Sequence, residues 1–124
     1  MQKDTYLNDG LKKELIHSLP FIHHFDQSEI DSLILFSQFI HVKKGTILRN
    51  GHLGRNEILY IVKGRVRVVL LSSEGKEVTI RILSEDDLLF NFESPDIFDS
   101  ARYTSEVDVD TDILRIIVSD SIYQ

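Results

Sequence analysis

Between residues 39 and 118, apolar side chains recur mainly at every second position, which is typical of β-strands. The clearest run is RVRVVLL at residues 65–71, where Val66, Val68 and Leu70 fall on one face. Arginines and a valine occupy the opposite face of the same run. This alternation predicts a strand with one buried and one more polar side.

A second alternating run is KEVTIRIL, which predicts a shared face for Val78, Ile80 and Ile82. Between the runs lie glycines that suit the turns joining successive strands, at Gly45, Gly51, Gly64 and Gly75. About eight short strand-like runs follow one another at roughly 8–12-residue spacing. The pattern predicts a mainly β fold, an antiparallel β-roll or jelly roll.

The first 38 residues have helical spacing instead. In LKKELIHSL the apolar residues recur at intervals of three and four, and Pro20 ends the segment. In FDQSEIDSLILFSQ, Asp26 and Glu29 have the spacing of a capping box, with aspartate in place of the usual serine or threonine. Two helices are therefore predicted before the first strand.

The three zones form one predicted domain rather than several, because 124 residues are enough for a single core. Residues 1–38 are its helical segment and residues 39–118 are the β-roll. Residues 119–124 read as the start of a C-terminal helix, with Ser119, Asp120 or Ser121 as its cap. We expect that helix to continue in a longer protein.

Composition excludes several classes of function. The formal net charge of −6 disfavours direct binding of this chain to nucleic acid, since phosphate contacts need a basic face. The absence of cysteine excludes disulfides, thiolate zinc sites, cysteine-ligated iron–sulfur clusters and cysteine nucleophiles. No apolar run is long enough to span a membrane, and the polar N-terminus is unlike a signal peptide. We therefore expect a cytoplasmic protein without membrane contact.

The glycine-punctuated strands resemble the cyclic-nucleotide-binding domain fold, and within it the sensor domains of the CRP/FNR family of bacterial transcription regulators. The resemblance covers roughly residues 20–118 and includes the helix that precedes the first strand. The residues that carry it are KGTIL and the following glycine (Lys44 to Gly51), LYIVKGRVRV (Leu59 to Val68), EGKEVTI (Glu74 to Ile80) and the closing Asp87–Leu88.

This resemblance implies a small-molecule effector bound inside the roll and no enzymatic activity. In such regulators the effector biases a long dimer helix, which reorients a helix-turn-helix domain on DNA. Both parts would lie beyond Gln124. We therefore expect a homodimer in the full-length protein, and DNA contact only through a C-terminal domain absent from this chain.

Cyclic-nucleotide binders of this fold resemble one another in a phosphate-binding segment, Gly-Glu-hydrophobic-small-Leu, followed by Arg-(Ser/Thr/Ala)-Ala. The helix N-terminus and the arginine hold the phosphate, and the glutamate holds the ribose hydroxyl. Here Phe90 and Asn91 stand where Gly-Glu would be, and the arginine position falls at Ala101 or Arg102. The next residue is then Arg102 or Tyr103 rather than a small one.

The surrounding charge also disfavours a phosphate. Residues 84–112 carry ten acids against Arg102 and no other base. Like charges that are partly desolvated repel more strongly than a screened surface estimate suggests. Three of these acids share one alternation phase, which favours a solvated outer face: Glu106, Asp108 and Asp110. We predict that the domain does not bind cyclic AMP.

The effector is therefore unknown from the sequence. Arg81 falls at a position that faces the pocket in the nucleotide-binding proteins of this fold. In those proteins the residue at this position is small and polar. An arginine either fills the pocket or binds an anionic effector of another shape, with Ile80 as core or pocket wall. The aromatic residues nearby suit an apolar or planar effector or core packing equally well. The pocket candidates are Ile80, Arg81, Phe90, Asn91, Arg102 and Tyr103.

Haem is a candidate cofactor, because some regulators of the CRP/FNR family, which this sequence resembles, sense gases through it. The spacing of the histidines forms no metal-ligand motif, and no metal site is predicted. A single histidine can hold haem, so each of the five stays a candidate axial ligand: His17, His23, His24, His41 and His52.

Two other functions remain open. The roll is an effector-independent dimerisation scaffold if its own side chains fill the pocket. A cupin-type metal enzyme has similar strands, but it needs clustered histidine and carboxylate ligands and the HxH signature, which this sequence lacks. No Ser/His/Asp arrangement, Walker loop or Rossmann fingerprint is present either.

Overall fold

The computed structural model describes residues 6–48, 56–91 and 103–118. Helix α1 spans Asp9–His17 and helix α2 spans Gln27–Phe36, with a 3-10 turn at Ile22–His24 between them. The Asn8 side chain accepts a hydrogen bond from the backbone N–H of Leu11 at the start of α1. The capping box of α2 is confirmed, because Asp26 and Glu29 each accept from the other's backbone N–H.

Six strands form one antiparallel sheet, which confirms the mainly β roll with N-terminal helices. The central strands are β3 and β6, each of 16 residues. β1 and β2 pair with opposite ends of β6, and β5 and β4 pair with opposite ends of β3. Strand bounds are β1 Gln38–Val42, β2 Ile47–Leu48, β3 Asn56–Leu71, β4 Glu77–Leu83, β5 Leu88–Asn91 and β6 Tyr103–Val118.

The two long strands each join two runs that the sequence pattern separates. β3 continues through Gly64, where the backbone φ is 125° and the pairing with β6 shifts register. A Cβ at this position would lie 2.2 Å from Thr111 Oγ1. The same hydroxyl accepts a hydrogen bond from the Arg65 backbone N–H at 3.0 Å. Glycine therefore permits both the bend of β3 and its close approach to β6.

Two apolar clusters lie on the two faces of this bent sheet. The first packs the helices against one end of β3 and β6, and its buried members include Ile16, Leu33, Ile58, Leu114 and Ile116. The second, here called the roll interior, is lined by Leu59, Ile61, Val66, Leu83, Val107 and Ile113, with Leu48, Val68 and Leu89 partly buried against it. The helices therefore cover the outside of the roll.

One predicted alternation is wrong. Ile82 pairs with Arg67, whereas Val78 pairs with Leu70. Arg67 and Leu70 are three residues apart on β3, which keeps its register with β6 through this stretch, so they lie on opposite faces. The register of the β3–β4 pair shifts between Val68 and Val69. This irregularity places Val78 and Ile82 on opposite faces, because one extra residue of β4 inverts the alternation.

In the described part of the chain, no helix has the length and apolar content needed to cross a membrane.

Candidate effector site

The hairpin of β3 and β4 carries a charged residue, Arg81, on the interior face of the sheet. Val66 and Leu83 pair across the hairpin, and both belong to the roll interior. Two residues farther along, Val68 pairs with Arg81. Because side chains two residues apart share a face, Arg81 lies on the interior face of the sheet. It is nevertheless exposed, since the packed interior ends near Leu83.

The other described arginines are occupied. They form ion pairs with carboxylates, Arg65 with Asp108 at 2.6 Å, Arg67 with Glu106, and Arg115 with Glu57 at 2.7 Å. Arg67 also donates to Thr79 Oγ1 at 3.0 Å, which fixes it on the outer face. Among the arginines that the structure describes, Arg81 alone makes no hydrogen bond or ion pair with a described residue.

The neighbours of Arg81 on this hairpin are apolar and open. Val78 is 51% exposed and Ile80 is 49% exposed. Leu70, which pairs with Val78, lies on the same face as Val68. Ile80 is therefore not a core residue within the described structure, and it is the unpaired residue of β4 at the register shift, so its place as a pocket wall stays a prediction. An open apolar surface around one unpaired cation can hold an apolar molecule with a negative group.

A serine on β6 completes the interior face of this region, and the sequence analysis missed it. Ser105 pairs with Val68 on one side and with Leu48 on the other. Only 4% of its surface is exposed. The alternation of the strand could have identified Ser105. It precedes the interior Val107 by two positions in TSEVDV, so it is a polar residue on an otherwise apolar face.

The remaining pocket candidates are not gathered around Arg81. Phe90 pairs with Ile58 of the helix-side cluster, and its ring centroid lies 6.1 Å from that of Phe21. It therefore lies on the helix-covered face. The backbone of Asn91 pairs with Glu57 at the far end of β3.

The backbone of Tyr103 does come close to the hairpin, since it pairs with Leu70. The side chains of Asn91 and Tyr103, and the whole of Arg102, lie outside the described residues. Their predicted contributions to the pocket stay predictions.

The acids of β6 have partners, which weakens the predicted repulsion. Glu106 and Asp108 are ion-paired with arginines of β3. Asp110 accepts a hydrogen bond from the Lys44 backbone N–H at 2.9 Å. Two of these three carboxylates are thus neutralised on the outer face of the sheet. The sequence count alone overstates the negative field that a ligand inside the roll would meet.

The described histidines do not face the roll interior. His17 ends α1 and its Nδ1 contacts the Lys13 carbonyl at 2.8 Å, and His23 and His24 lie in the 3-10 turn with ring centroids 4.2 Å apart. His41 lies on β1 next to Ile40, which packs into the interior, so its ring is on the opposite face.

The Nδ1 atom of His41 contacts Asp112 Oδ1 at 2.6 Å. His52 lies outside the described residues. Within residues 6–48, 56–91 and 103–118, no three metal-ligating side chains are grouped to hold a metal ion. The described histidines therefore do not fit an axial ligand for haem inside the roll.

A separate groove of about 480 Å³ lies outside the roll, between α1 and the β4–β5 turn. Its most buried polar group is the Tyr60 hydroxyl, which donates to Asp86 Oδ1 at 2.7 Å. Burial and the Asp86 carboxylate raise the pKa of Tyr60 to about 12, so the hydroxyl stays protonated at neutral pH. The lining residues are Glu14, Leu15, Ser18, Pro20, Tyr60, Asp86 and Leu88. The hydrogen bond between Tyr60 and Asp86 fixes the β4–β5 turn to the sheet.

No protein-family model and no curated protein match this sequence. Several solved structures share its fold. A CRP/FNR-family transcriptional regulator from Eubacterium rectale is 27% identical, with a TM-score of 0.66 over 85% of this chain and 48% of its own. The sensor domain of the transcriptional regulator DNR from Pseudomonas aeruginosa is 15% identical, with a TM-score of 0.64 over 88% of this chain and 73% of its own.

A third structure is the regulatory subunit of a cAMP-independent protein kinase A from Trypanosoma brucei, a mutant bound to cAMP. It is 14% identical, with a TM-score of 0.65 over 94% of this chain and 42% of its own. The chain thus spans less than half the length of the Eubacterium and Trypanosoma proteins. These structures are regulatory proteins and not enzymes. This chain therefore has the fold of cyclic-nucleotide-binding-like domains, and it is similar to a CRP/FNR-family transcriptional regulator and to the sensor domain of DNR.

Proposed function

We propose that this domain senses a small-molecule effector other than cyclic AMP and transmits its binding to a dimer helix and a DNA-binding domain outside the chain. The observation that carries the proposal is the open interior face of the β3–β4 hairpin. It combines Arg81, which has no partner among the described residues, with the exposed apolar Val78 in a fold shared with sensor domains.

The loss of cyclic-nucleotide binding is supported by position as well as by sequence. Phe90 and Asn91, which replace the glycine and the ribose-binding acid, are regular residues of β5 paired with β3. Phe90 packs near Phe21 on the helix-covered side. A strand residue in this register is not available to form the turn and helix N-terminus that hold a phosphate through backbone N–H groups.

Transmission follows from exposure. An apolar hairpin that is half exposed is unfavourable in water, and covering a half-exposed side chain such as Val78 gains roughly 1 kcal/mol. A helix that packs over this hairpin and an effector that occupies the same face would contact one surface. The binding of one would therefore weaken or strengthen the binding of the other. Because this coupling is reciprocal, effector binding would shift the helix position. The proposed homodimer forms through that helix, and DNA is contacted only beyond it.

Thermal unfolding with ligands tests this proposal. A ligand that binds only the folded state, at about 100 times its Kd, raises the free energy of unfolding by about 2.7 kcal/mol. We expect no shift with cyclic AMP and no Soret band of defined stoichiometry with haem. We expect a shift with at least one member of a panel of aromatic, redox and organic-acid metabolites.

A matched variant shows where a panel ligand binds. Val78→Asp places a charge on the proposed interior surface, whereas Thr79→Asp places one on the outer face of the same strand. The shift should be lost in the first variant and kept in the second. A clear shift with cyclic AMP contradicts the proposal, and silence of the whole panel favours the effector-independent scaffold.

A further inference from the structure

Four residues form one row across the interior face of the sheet. Leu48 of β2 pairs with Ser105 of β6, Ser105 pairs with Val68 of β3, and Val68 pairs with Arg81 of β4. Neighbouring strands lie about 4.8 Å apart, so the Cα atoms of Ser105 and Arg81 are separated by roughly 9.5 Å. Val68 lies between them and forms an apolar floor.

The Ser105 hydroxyl is buried without a partner in the described structure. The residue is 4% exposed, and its Oγ makes no hydrogen bond to any residue within 6–48, 56–91 or 103–118. Thr111, which is also buried on β6, instead donates to the Val109 carbonyl at 2.7 Å. An unsatisfied buried hydroxyl destabilises a fold, so its presence on this face points to a hydrogen-bond partner that completes it.

The two ends of the row are chemically complementary to one type of group. Arg81 offers a planar fork of N–H donors, and the Ser105 hydroxyl offers one more from the opposite side. A carboxylate above Val68 can accept from both. Arg81 is the cation that the strand register places in this row, and the chain has a net charge of −6, so a singly charged anion fits better than a doubly charged phosphate.

The surroundings of the row fix the character of the rest of the ligand. Leu70 and Val78 extend the same face of the hairpin beyond Arg81, and they are aliphatic and partly or largely exposed. A hydrocarbon body laid along them would be removed from water at about 25 cal/mol per Å² of buried apolar surface.

We infer that the effector is a monoanionic carboxylic acid with an apolar body, held by Arg81 and Ser105 and lying along Leu70 and Val78. This inference rests on the proposed function, since it names the class of effector that the interior face accepts. It also assigns opposite roles to two residues on one hairpin. Arg81 binds ligand on the interior face. Arg67, which precedes Val68 on β3, lies on the outer face and is held there by Glu106 and Thr79.

The probe is octanoate, compared by calorimetry and thermal shift with 1-octanol and octylamine, which share its chain but are neutral or cationic. Octanoate should bind at least about tenfold tighter than 1-octanol, because a charge-assisted hydrogen bond is about twice as strong as a neutral one. Octylamine should not bind detectably.

Three variants locate the head group. Arg81→Gln should weaken octanoate binding by about tenfold or more and leave 1-octanol binding unchanged. Ser105→Ala should weaken it by about two- to tenfold. Unlike a purely structural residue, Ser105→Ala should also raise the melting temperature of the ligand-free chain, because it removes an unsatisfied hydroxyl. Arg67→Gln is the control for loss of one positive charge and should leave octanoate affinity unchanged.

The outcomes separate this inference from the proposed function. Equal binding of octanoate and 1-octanol, with no effect of Arg81→Gln, overturns the carboxylate site and leaves an effector site of another chemistry. Equal loss in Arg67→Gln and Arg81→Gln overturns it in favour of general charge attraction. If octanoate does not bind the wild-type chain, the inference fails, and the metabolite panel then decides the proposed function independently.

Discussion

The two halves of strand β3 belong to one continuous strand but have different sequence patterns and different surroundings. The half from Asn56 to Ile61 lies between β5 and β6, and residues 57–61 are all buried. The half from Arg65 to Leu71 lies between β6 and β4, whose residues 77–82 are all exposed. The first half is therefore built for stability and the second leaves an interior surface open. The proposed ligand site belongs to the half that the fold leaves uncovered.

The largest expected contrast comes from truncating one isoleucine in each half. Ile61 is fully buried in the roll interior, so Ile61→Ala should lower the free energy of unfolding by about 2–5 kcal/mol. Ile80 is half exposed, so Ile80→Ala should lower it by about 0.5 kcal/mol. Urea denaturation of both variants measures the contrast. Similar losses would show that the β4 hairpin is packed as firmly as the rest.

Two arginine–carboxylate pairs give the next contrast. Glu57 is a buried charge held by Arg115 at 2.7 Å, so Arg115→Gln should destabilise the fold by about 3 kcal/mol because it removes an ion pair from a buried carboxylate. Arg65 pairs with Asp108 on a more exposed surface, and Arg65→Gln should cost about 0.2–1 kcal/mol. Denaturation at low and high salt measures both. Strong salt dependence of the Arg115 effect would contradict its burial.

The bend between the halves depends on Gly64. Gly64→Ala should destabilise the chain by about 2–4 kcal/mol, since it combines a positive φ with a clash against Thr111. Gly75 is the matched control, because its φ is 85° and the space that a methyl group would occupy is open, so Gly75→Ala should cost about 1–2 kcal/mol. Equal losses in thermal unfolding would mean that backbone strain alone, without close approach, accounts for Gly64.

A smaller effect concerns pH and the other end of the sheet. Burial of Asp112 opposes its ionisation, but hydrogen bonds with His41 and Tyr6 outweigh it and lower the pKa of the carboxyl below 3.8. A lowered folded-state pKa contributes stability above the unfolded value, and this contribution is lost as the pH falls through the folded value. Asp112→Asn should therefore destabilise the chain by about 1–2 kcal/mol at pH 7.

The difference between Asp112→Asn and wild type should shrink as the pH falls below about 4 and vanish in stronger acid. Unfolding free energies measured from pH 7 to pH 2 test this sign. A constant difference across that range would assign the effect to packing instead of to charge.

Local patterns predicted the elements whose causes are local. The capping box at Asp26 and Glu29, and the strand character of RVRVVLL, arise within a few residues of chain. The alternation of KEVTIRIL failed because a shift in its register with β3 inverts the faces of Val78 and Ile82. No spacing within the segment itself reports that shift, since it is a property of the pair of strands.

For the candidate site, the sequence determined the type of domain and named Arg81 and Ile80 through their place in the resembling pattern. Only the tertiary structure decided which of the four described arginines has no partner, because the partners of Arg65, Arg67 and Arg115 lie 39 to 58 residues away along the chain. It also placed Ser105 in one row with Arg81. The physical reason is that periodicity fixes which face a side chain takes, whereas strand pairing decides what stands beside it on that face.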